Sequence, residues 1–470
     1  MILTELKEFD YSKYPVVIFG SGPAGLTTAL ELEKNNIPSI VIEAGDQFYS
    51  EESQEFYKGN VNKNFISNIS ESRLRQFGGT SGIWGGWCKP LEQFAFNSWP
   101  INHQDLQAYQ EQACDILDIK NQFQQMPLNE KFNQNEFQYS TVRFGDKYED
   151  HIKKSNKILL ILNTQLSYFI GNNQSVDRAM CISKGKNTEI KSKIFILACG
   201  GIENSRILLW SQIKNNKLLD PKLPIGKYWM THSWILSGAG ILDENKLMQS
   251  MENNYLKYDG AIHLSSSERL IKEYNILSSG LYMNKKEDTN IQKEIIKDLL
   301  CVAPEYGKKI AKSLFNKNLK CGNIFMHVEN EANRNNRVVL DNNNVDKNNI
   351  PQTNILYPER KKSMISAKYF LEQLAIFFKK NDIGRIAIDK RVHDLEEIDQ
   401  LGHFHHMGGT RMGNDRTTSV VDKNLKIHNL SNLYVSGSSN FFTGCYSNPT
   451  FTIIQLSIRL ADNIKKKLNS

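Results

Sequence analysis

Long apolar runs are missing from this 470-residue chain. No stretch approaches the ~20 consecutive apolar residues that a membrane-spanning helix needs, so no integral membrane segment is expected. The first residues, from Met1 to Pro15, lack a basic start followed by an apolar stretch, and no twin-arginine signal is present. These absences predict a cytoplasmic protein. Cysteine is sparse and scattered: seven residues at 88, 114, 181, 199, 301, 321 and 445, with no C-x-x-C pair. That pattern provides neither a disulfide framework nor a cysteine zinc site, and it fits a reducing compartment. With 12 prolines and 29 glycines the chain is neither collagenous nor of low complexity. The 58 basic residues exceed the 51 acidic ones only mildly. No segment combines dense Arg/Lys with interleaved aromatics, so nucleic acid is not an expected partner. No internal repeat is visible.

What is present starts at Tyr14 to Phe19 (YPVVIF), a short β-branched run of the kind buried on both faces of a parallel sheet. It leads into Gly20-Ser21-Gly22-Pro23-Ala24-Gly25 and a helical pattern through Lys34, then a second buried strand, Ser39 to Ile42, closed by Glu43. This is β-turn-α-β with G-x-G-x-x-G at the strand-to-helix junction. Gly20 permits the tight turn, Gly22 lets backbone approach a pyrophosphate, and Gly25 allows close helix packing. The helix N-terminus offers unpaired N–H groups to the phosphates, and Glu43 is placed for ribose hydroxyls. The acid favours FAD or NAD over NADP; these residues alone do not separate the first two.

Arg73 to Pro90 (RLRQFGGTSGIWGGWCKP) sets five glycines among two tryptophans without helical or strand periodicity. Backbone held flat against a planar ligand, with rings excluding water, requires such a composition. A structural loop under the core is the plainer alternative. Ser98 to Ile119 reads as an amphipathic helix, and residues 120–150 as an irregular polar excursion. Ile158 to Asn163 and Leu166 to Ile170 carry strand signals. Lys193 to Ala198 is a third buried strand, followed by Cys199-Gly200-Gly201 and a helix through Trp210. Residues 235–400 carry alternating segments such as Asn323 to Glu329, then Arg337 to Leu340, Asn-rich turns, and a helix from about Ser363 to Lys380; they predict an antiparallel sheet. The basic stretch 285–320 reads as a solvated helical face, with a contact to an acidic partner or a membrane surface as the alternative.

Near the C-terminus, Gly402 to Gly413 reads GHFHHMGGTRMG. Val420 to His428 and Leu433 to Ser436 look like strands, and Phe451 to Leu468 is a terminal helix that Ser447-Asn448-Pro449-Thr450 can cap. His403, His405 and His406 invite a metal reading. Spacing places no third ligand and no carboxylate beside them, so no metal is expected. For His103, His232, His263 and His327 a structural role is the default.

These blocks resemble the glucose–methanol–choline family of flavin-dependent alcohol oxidoreductases over nearly the whole length. The matching segments are GSGPAG with Glu43, GGTSGIWGG at 78–86, WPI at 99–101, LACGGIENSRILL at 197–209, IGKYWMTH at 225–232, HHMGGTRMG at 405–413 and the run from Val420 to Ile453. The HMGGTRMG and SNPT blocks look most like the sugar-oxidising and related bacterial branches. The resemblance implies an α/β fold: a Rossmann-like FAD-binding domain assembled from 1–100, 155–232 and 400–470, and an antiparallel-sheet α+β substrate domain from 101–154 and 233–399. It implies FAD, with contacts at Gly20, Gly22, Pro23, Ala24, Gly25, Glu43, Gly79, Thr80, Trp84, Gly85, Gly86, Ala198, Gly200, Gly437, Ser438, Asn448, Pro449 and Thr450. Carried over residue by residue, the family's catalytic histidine, four positions before a threonine, is His406. Its second catalytic position, before Pro-Thr, is Asn448. A neutral imidazole would take the hydroxyl proton and the carboxamide would steady the developing alkoxide while hydride leaves carbon. Where some members tether FAD through a histidine this chain has Ile83, so the flavin is expected to be non-covalent. The expected substrate is a primary or secondary alcohol, with a sugar or polyol as a candidate, and the electron acceptor is oxygen, a quinone or a protein. Two alternatives stand beside this: a lyase-type enzyme with an idle flavin, and a flavoprotein subunit passing electrons to a partner.

Overall fold

The computed structural model describes residues 1–6, 11–61, 69–250, 261–284, 319–358, 361–396 and 404–469. Two sheets organise them. The first has six parallel strands in the order Ile2–Leu3, Ile158–Ile161, Ser39–Ile42, Val16–Phe19, Ile194–Leu197, Leu433–Val435. The sequences VVIF, SIVI, ILLI and IFIL are buried at every position. Unbroken apolar runs make sense here because both faces are covered. The helix Pro23–Lys34 packs against the C-terminal helix Thr450–Asn469, Phe144–Lys154 lies over Ile158–Ile161, and Gly200–Lys214 packs on the strand Thr164–Gly171. Thr164–Gly171 opens a three-stranded antiparallel sheet whose Phe169 meets Phe19 and Phe195 edge-on at 5.6 and 6.0 Å.

The second sheet has seven antiparallel strands in the order Gly384–Ile388, His232–Asp243, Leu319–Glu329, Ser279–Asn284, Ala261–Ser266, Phe132–Asn135, Gln125–Pro127. One face is apolar: Ile235, Leu264, Leu281, Ile324, Met326 and Val328 form a core with Phe370, Leu371, Leu374 and Phe378 of the helix Lys361–Lys380. Side chains alternate along a strand, so the intervening positions Trp234, His263, Tyr282, Phe325 and His327 turn to the opposite face. Register pairs them across strands, Trp234 with His327, Tyr282 with Phe325 and His263 with Tyr282.

The α/β architecture is as the sequence implied: a parallel dinucleotide-type sheet beside an antiparallel one. Three local readings change. Residues 120–150 are not irregular: they contain Gln125–Pro127, Phe132–Asn135, Gln138–Tyr139 and the start of Phe144–Lys154. Pairing rather than propensity makes the Asn/Gln-rich strand, since Phe132–Asn135 aligns with Ala261–Ser266 and Asn135 donates to Ser265 Oγ at 2.8 Å. The single helix read over 98–119 is two, Gln104–Gln107 and Gln110–Leu117. Val420 to His428 forms isolated bridges rather than a strand, Met412 to Val421 and Val421 to Ile427. Of the basic stretch, residues 285–318 lie outside the described residues, as does His403. No described helix is long and apolar enough to cross a membrane.

Candidate functional site

The carboxyl ends of the parallel strands open into one cavity of about 800 Å³ that continues to the ring-bearing face of the antiparallel sheet. Ligands bind at that end of doubly wound sheets because the turns there present backbone N–H groups. Gly20, Gly22, Pro23, Ala24, Glu43, Gly79, Thr80, Trp84, Gly85, Gly86, Ala198, Gly200, His406, Gly437, Ser438, Asn448, Pro449 and Thr450 all line it. Gly25 does not line it; it packs beneath, where an added Cβ would lie 1.9 Å from Gly20 O.

The glycine turn fits a dinucleotide. Gly20 has φ +103°, and a Cβ there would approach Ala198 O to 2.4 Å. By contrast, Gly22 and Gly200 face open space: the nearest atom to a Cβ at Gly22 is Gly79 Cα at 4.0 Å, and Gly200 has none within 4 Å. Side chains there would fill the cleft. The helix Pro23–Lys34 starts at Gly22 without a side-chain cap, which leaves its first N–H groups for a ligand. The Glu43 carboxylate is buried and oriented: Oε2 accepts from Ser21 N and Ser21 Oγ at 3.0 and 2.7 Å, and Oε1 accepts from Gly45 N at 2.8 Å. Oε1 keeps a lone pair for a ribose hydroxyl.

Beside this cleft runs a buried ion network. Arg73 donates to Glu203 at 2.7 Å, Glu203 accepts from Arg206 at 3.1 Å, and Arg206 donates to Asp346 at 2.7 Å. The two guanidinium groups hold the Glu203 carboxyl below the usual carboxylate range despite its burial. The network ties the helix Gly200–Lys214 to the loop at Asp346.

At the far end Asn448 meets a histidine, and that histidine is His405. Its Nε2 lies 3.3 Å from Asn448 Nδ2, and its Nδ1 lies 2.8 Å from His232 Nδ1. With the amide donating, Nε2 presents its lone pair and Nδ1–H can donate to His232. His406 is turned elsewhere: Nε2 is 3.1 Å from Ser72 Oγ, and the ring lies 5.8 Å from that of Trp229. Two consecutive histidines thus face different walls of one cavity.

Residues 332–457 match the model of the GMC oxidoreductase family. That segment carries the family's C-terminal domain. The chain is 26% identical over 297 residues to 2-methyl-1,2-propanediol dehydrogenase of Mycolicibacterium austroafricanum, covering 61% of this chain and 50% of that protein. It is also 26% identical over 290 residues to the fructose dehydrogenase large subunit of Gluconobacter japonicus, covering 59% and 48%. The matched region thus spans about half the length of these curated relatives. Among solved structures, pyridoxine 4-oxidase superposes with a TM-score of 0.57 at 12% identity, covering 95% of this chain and 98% of that one. Formate oxidase gives 0.57 at 15%, covering 98% and 100%. At these identities the structural matches speak for the fold.

Around His405 this segment meets histidines for which a structural role is the default expectation. His232, His327 and His405 cluster with ring centroids 5.0 to 6.2 Å apart. Burial pushes His232 down to about 4 and His327 to about 3, and it holds His405 well below the ordinary imidazole range. All three are therefore neutral near pH 7. Glu329 lies under the Asn448 loop. Its Oε1 accepts from Gly444 N and Cys445 N, both at 3.0 Å, and burial raises its carboxyl to about 7. The block IGKYWMTH already ended on His232, but its pairing with His405 depends on contacts far apart in sequence. Among the described residues no cluster of three or more His, Cys, Asp or Glu could hold a metal ion.

Proposed function

We propose that this chain is an FAD-dependent oxidoreductase that converts an alcohol CH–OH to the carbonyl, with His405 as base and Asn448 as its partner. The observation that carries the reading is the His405–Asn448 contact at 3.3 Å, on a neutral buried imidazole, in the cavity that the glycine turn also lines. We assign the base to His405 rather than to the expected His406, because His405 is the imidazole that reaches Asn448.

The dinucleotide would be held by the turn Gly20 to Gly25, with Glu43 on the ribose. Gly79, Thr80, Trp84, Gly85 and Gly86 would flank it, together with Ala198, Gly200, Gly437 and Ser438, and Pro449 and Thr450 at the start of the terminal helix. Bound flavin supplies a two-electron acceptor for hydride. An alcohol oxygen entering between His405 and Asn448 would donate its proton to Nε2 and accept from Nδ2. A free hydroxyl ionises too weakly to lose hydride at neutral pH, so proton removal by Nε2 is what makes the carbon a donor. His232 accepting from Nδ1–H would hold the tautomer in which Nε2 is unprotonated, and the entering hydroxyl would take the place of the Asn448 amide on it. Ile83, about half exposed on the cavity wall, offers no atom for a covalent flavin bond, so acid precipitation should release the flavin into the supernatant.

The direct test replaces His405 by Ala and follows anaerobic flavin bleaching. The expected loss is about 10²–10⁴-fold, the range for a general base. His406→Ala should lose far less; the reverse order would return the base to position 406.

A further inference from the structure

On that reading of the site, we propose that the chamber in front of His405 selects an uncharged aromatic alcohol, oxidised at the carbon attached to its ring, rather than a sugar. The wall is a continuous run of rings. Trp87 lies 5.2 Å from His263, His263 4.4 Å from Phe137 and 6.0 Å from Tyr282, Tyr282 6.1 Å from His327, and His327 5.8 Å from His405. All of these line the cavity. Strand alternation turns His263, Tyr282 and His327 of the antiparallel sheet inward, and Trp87, Phe137 and His405 extend the run from neighbouring segments, so planar groups can stack on the wall.

Charge is segregated away from this wall. Among the described residues, the charged side chains lining the cavity are Glu43, Glu71, Arg73, Arg75, Glu203 and Arg206, none of which comes from the antiparallel sheet. The imidazoles there stay neutral because burial depresses them, His263 to about 4 with Lys89 adding repulsion. A carboxylate substrate would find no guanidinium on this wall, and a cation no carboxylate. A sugar presents a hydroxyl at nearly every carbon, and only the imidazole edges, the Tyr282 hydroxyl and the indole N–H groups could meet them, so against the ring faces several would stay unmatched. A ring-bearing alcohol leaves one polar group, and His405 and Asn448 supply its partners. Trp87 and Phe404, 37% and 48% exposed, stand at the rim as an apolar entrance. The step balances: the ring-bound carbon would give hydride to bound flavin and its hydroxyl proton would go to His405, which leaves the aldehyde.

The test uses the flavin-loaded protein under anaerobic conditions with benzyl alcohol, cyclohexylmethanol, sorbitol and glucose. Benzyl alcohol should bleach the flavin with a kcat/KM about tenfold or more above cyclohexylmethanol, the size of aromatic stacking, and further above the sugars. Tyr282→Leu should raise KM for benzyl alcohol about fivefold with kcat little changed, and should raise KM for cyclohexylmethanol by clearly less. Independently of turnover, benzaldehyde should bind the oxidised protein and perturb its tryptophan fluorescence, and sorbitol should not. Faster bleaching by glucose or sorbitol, or equal kcat/KM for the two ring alcohols, overturns the aromatic assignment but leaves the alcohol oxidoreductase standing. If dithionite reduces the flavin while no alcohol does, the proposed function falls and this inference falls with it.

Discussion

The parallel and antiparallel sheets contribute to one cavity in opposite ways. At the parallel sheet the ligand surface is mostly backbone. Gly22 and Gly200 leave space, a helix start offers N–H groups, and the Glu43 side chain is held by Ser21 and Gly45. At the antiparallel sheet the ligand surface is side chains, gathered from strands whose register places Trp234 opposite His327 and His263 opposite Tyr282. A backbone surface is written in consecutive residues, whereas a side-chain surface is written across strands. The first therefore tolerates almost no change at its glycines, and the second should tolerate change in size but not in charge.

The sharpest way to break this contrast is at two glycines three residues apart. Gly25→Ala forces a Cβ to 1.9 Å from Gly20 O, and backbone cannot yield there cheaply. We expect a loss on the order of 3 kcal/mol or more in urea unfolding, together with failure to retain flavin. Gly22→Ala meets nothing closer than 4.0 Å. It should change stability by less than about 1 kcal/mol yet weaken flavin retention, because the new methyl occupies the cleft. Equal destabilisation by both would show that the turn is merely structural.

That contrast also explains what was legible in the sequence. G-x-G-x-x-G, the four buried strands and Glu43 are local, so their spacing alone reported the parallel sheet and most of the cleft. Asn448 stands out in the sequence because it abuts the Pro-Thr that starts the terminal helix, and it lines the cavity. The histidine that meets it was not legible. Counting back from Thr410 selects His406, but backbone geometry between Met230 and Met407 decides which imidazole turns inward, and it turns His405 toward Asn448 and His406 toward Ser72. The strand Phe132–Asn135 was missed for the same reason: its stability comes from Ala261–Ser266, which lies far along the chain.

The antiparallel face should reveal itself through pH. His232 and His263 are depressed to about 4 and His327 to about 3, so between these values and about 6.5 the unfolded chain binds protons that the folded one refuses. Stability must therefore fall as pH drops below 6.5, by as much as about 3 kcal/mol per fully buried histidine. Glu329 works the other way. Raised to about 7, its carboxyl stays protonated in the folded state, and its contribution is lost as pH rises from about 4.5 through 7. Three imidazoles outweigh one carboxyl, so the net slope of urea midpoint against pH should be positive between 4 and 6.5. His327→Phe should flatten it. A slope of zero or of opposite sign would mean that these histidines are not buried neutral.

The smallest effect expected is the most informative about the two adjacent histidines. Ser72→Ala removes the 3.1 Å contact to His406 Nε2 and leaves the His405–Asn448–His232 arrangement untouched. The same change also removes the hydrogen bond from Ser72 Oγ to Ile69 O at 2.9 Å, and losing two buried hydrogen bonds should destabilise by about 2 kcal/mol. Anaerobic flavin reduction should stay within about twofold of the unmodified protein, because no group that moves a proton has been disturbed. A stability loss with an unchanged rate would mark His406 as a packing residue on the wall beside Trp229. A rate loss of about tenfold or more would instead mean that orienting His406 matters to the chemistry, and the base would have to be sought on that wall.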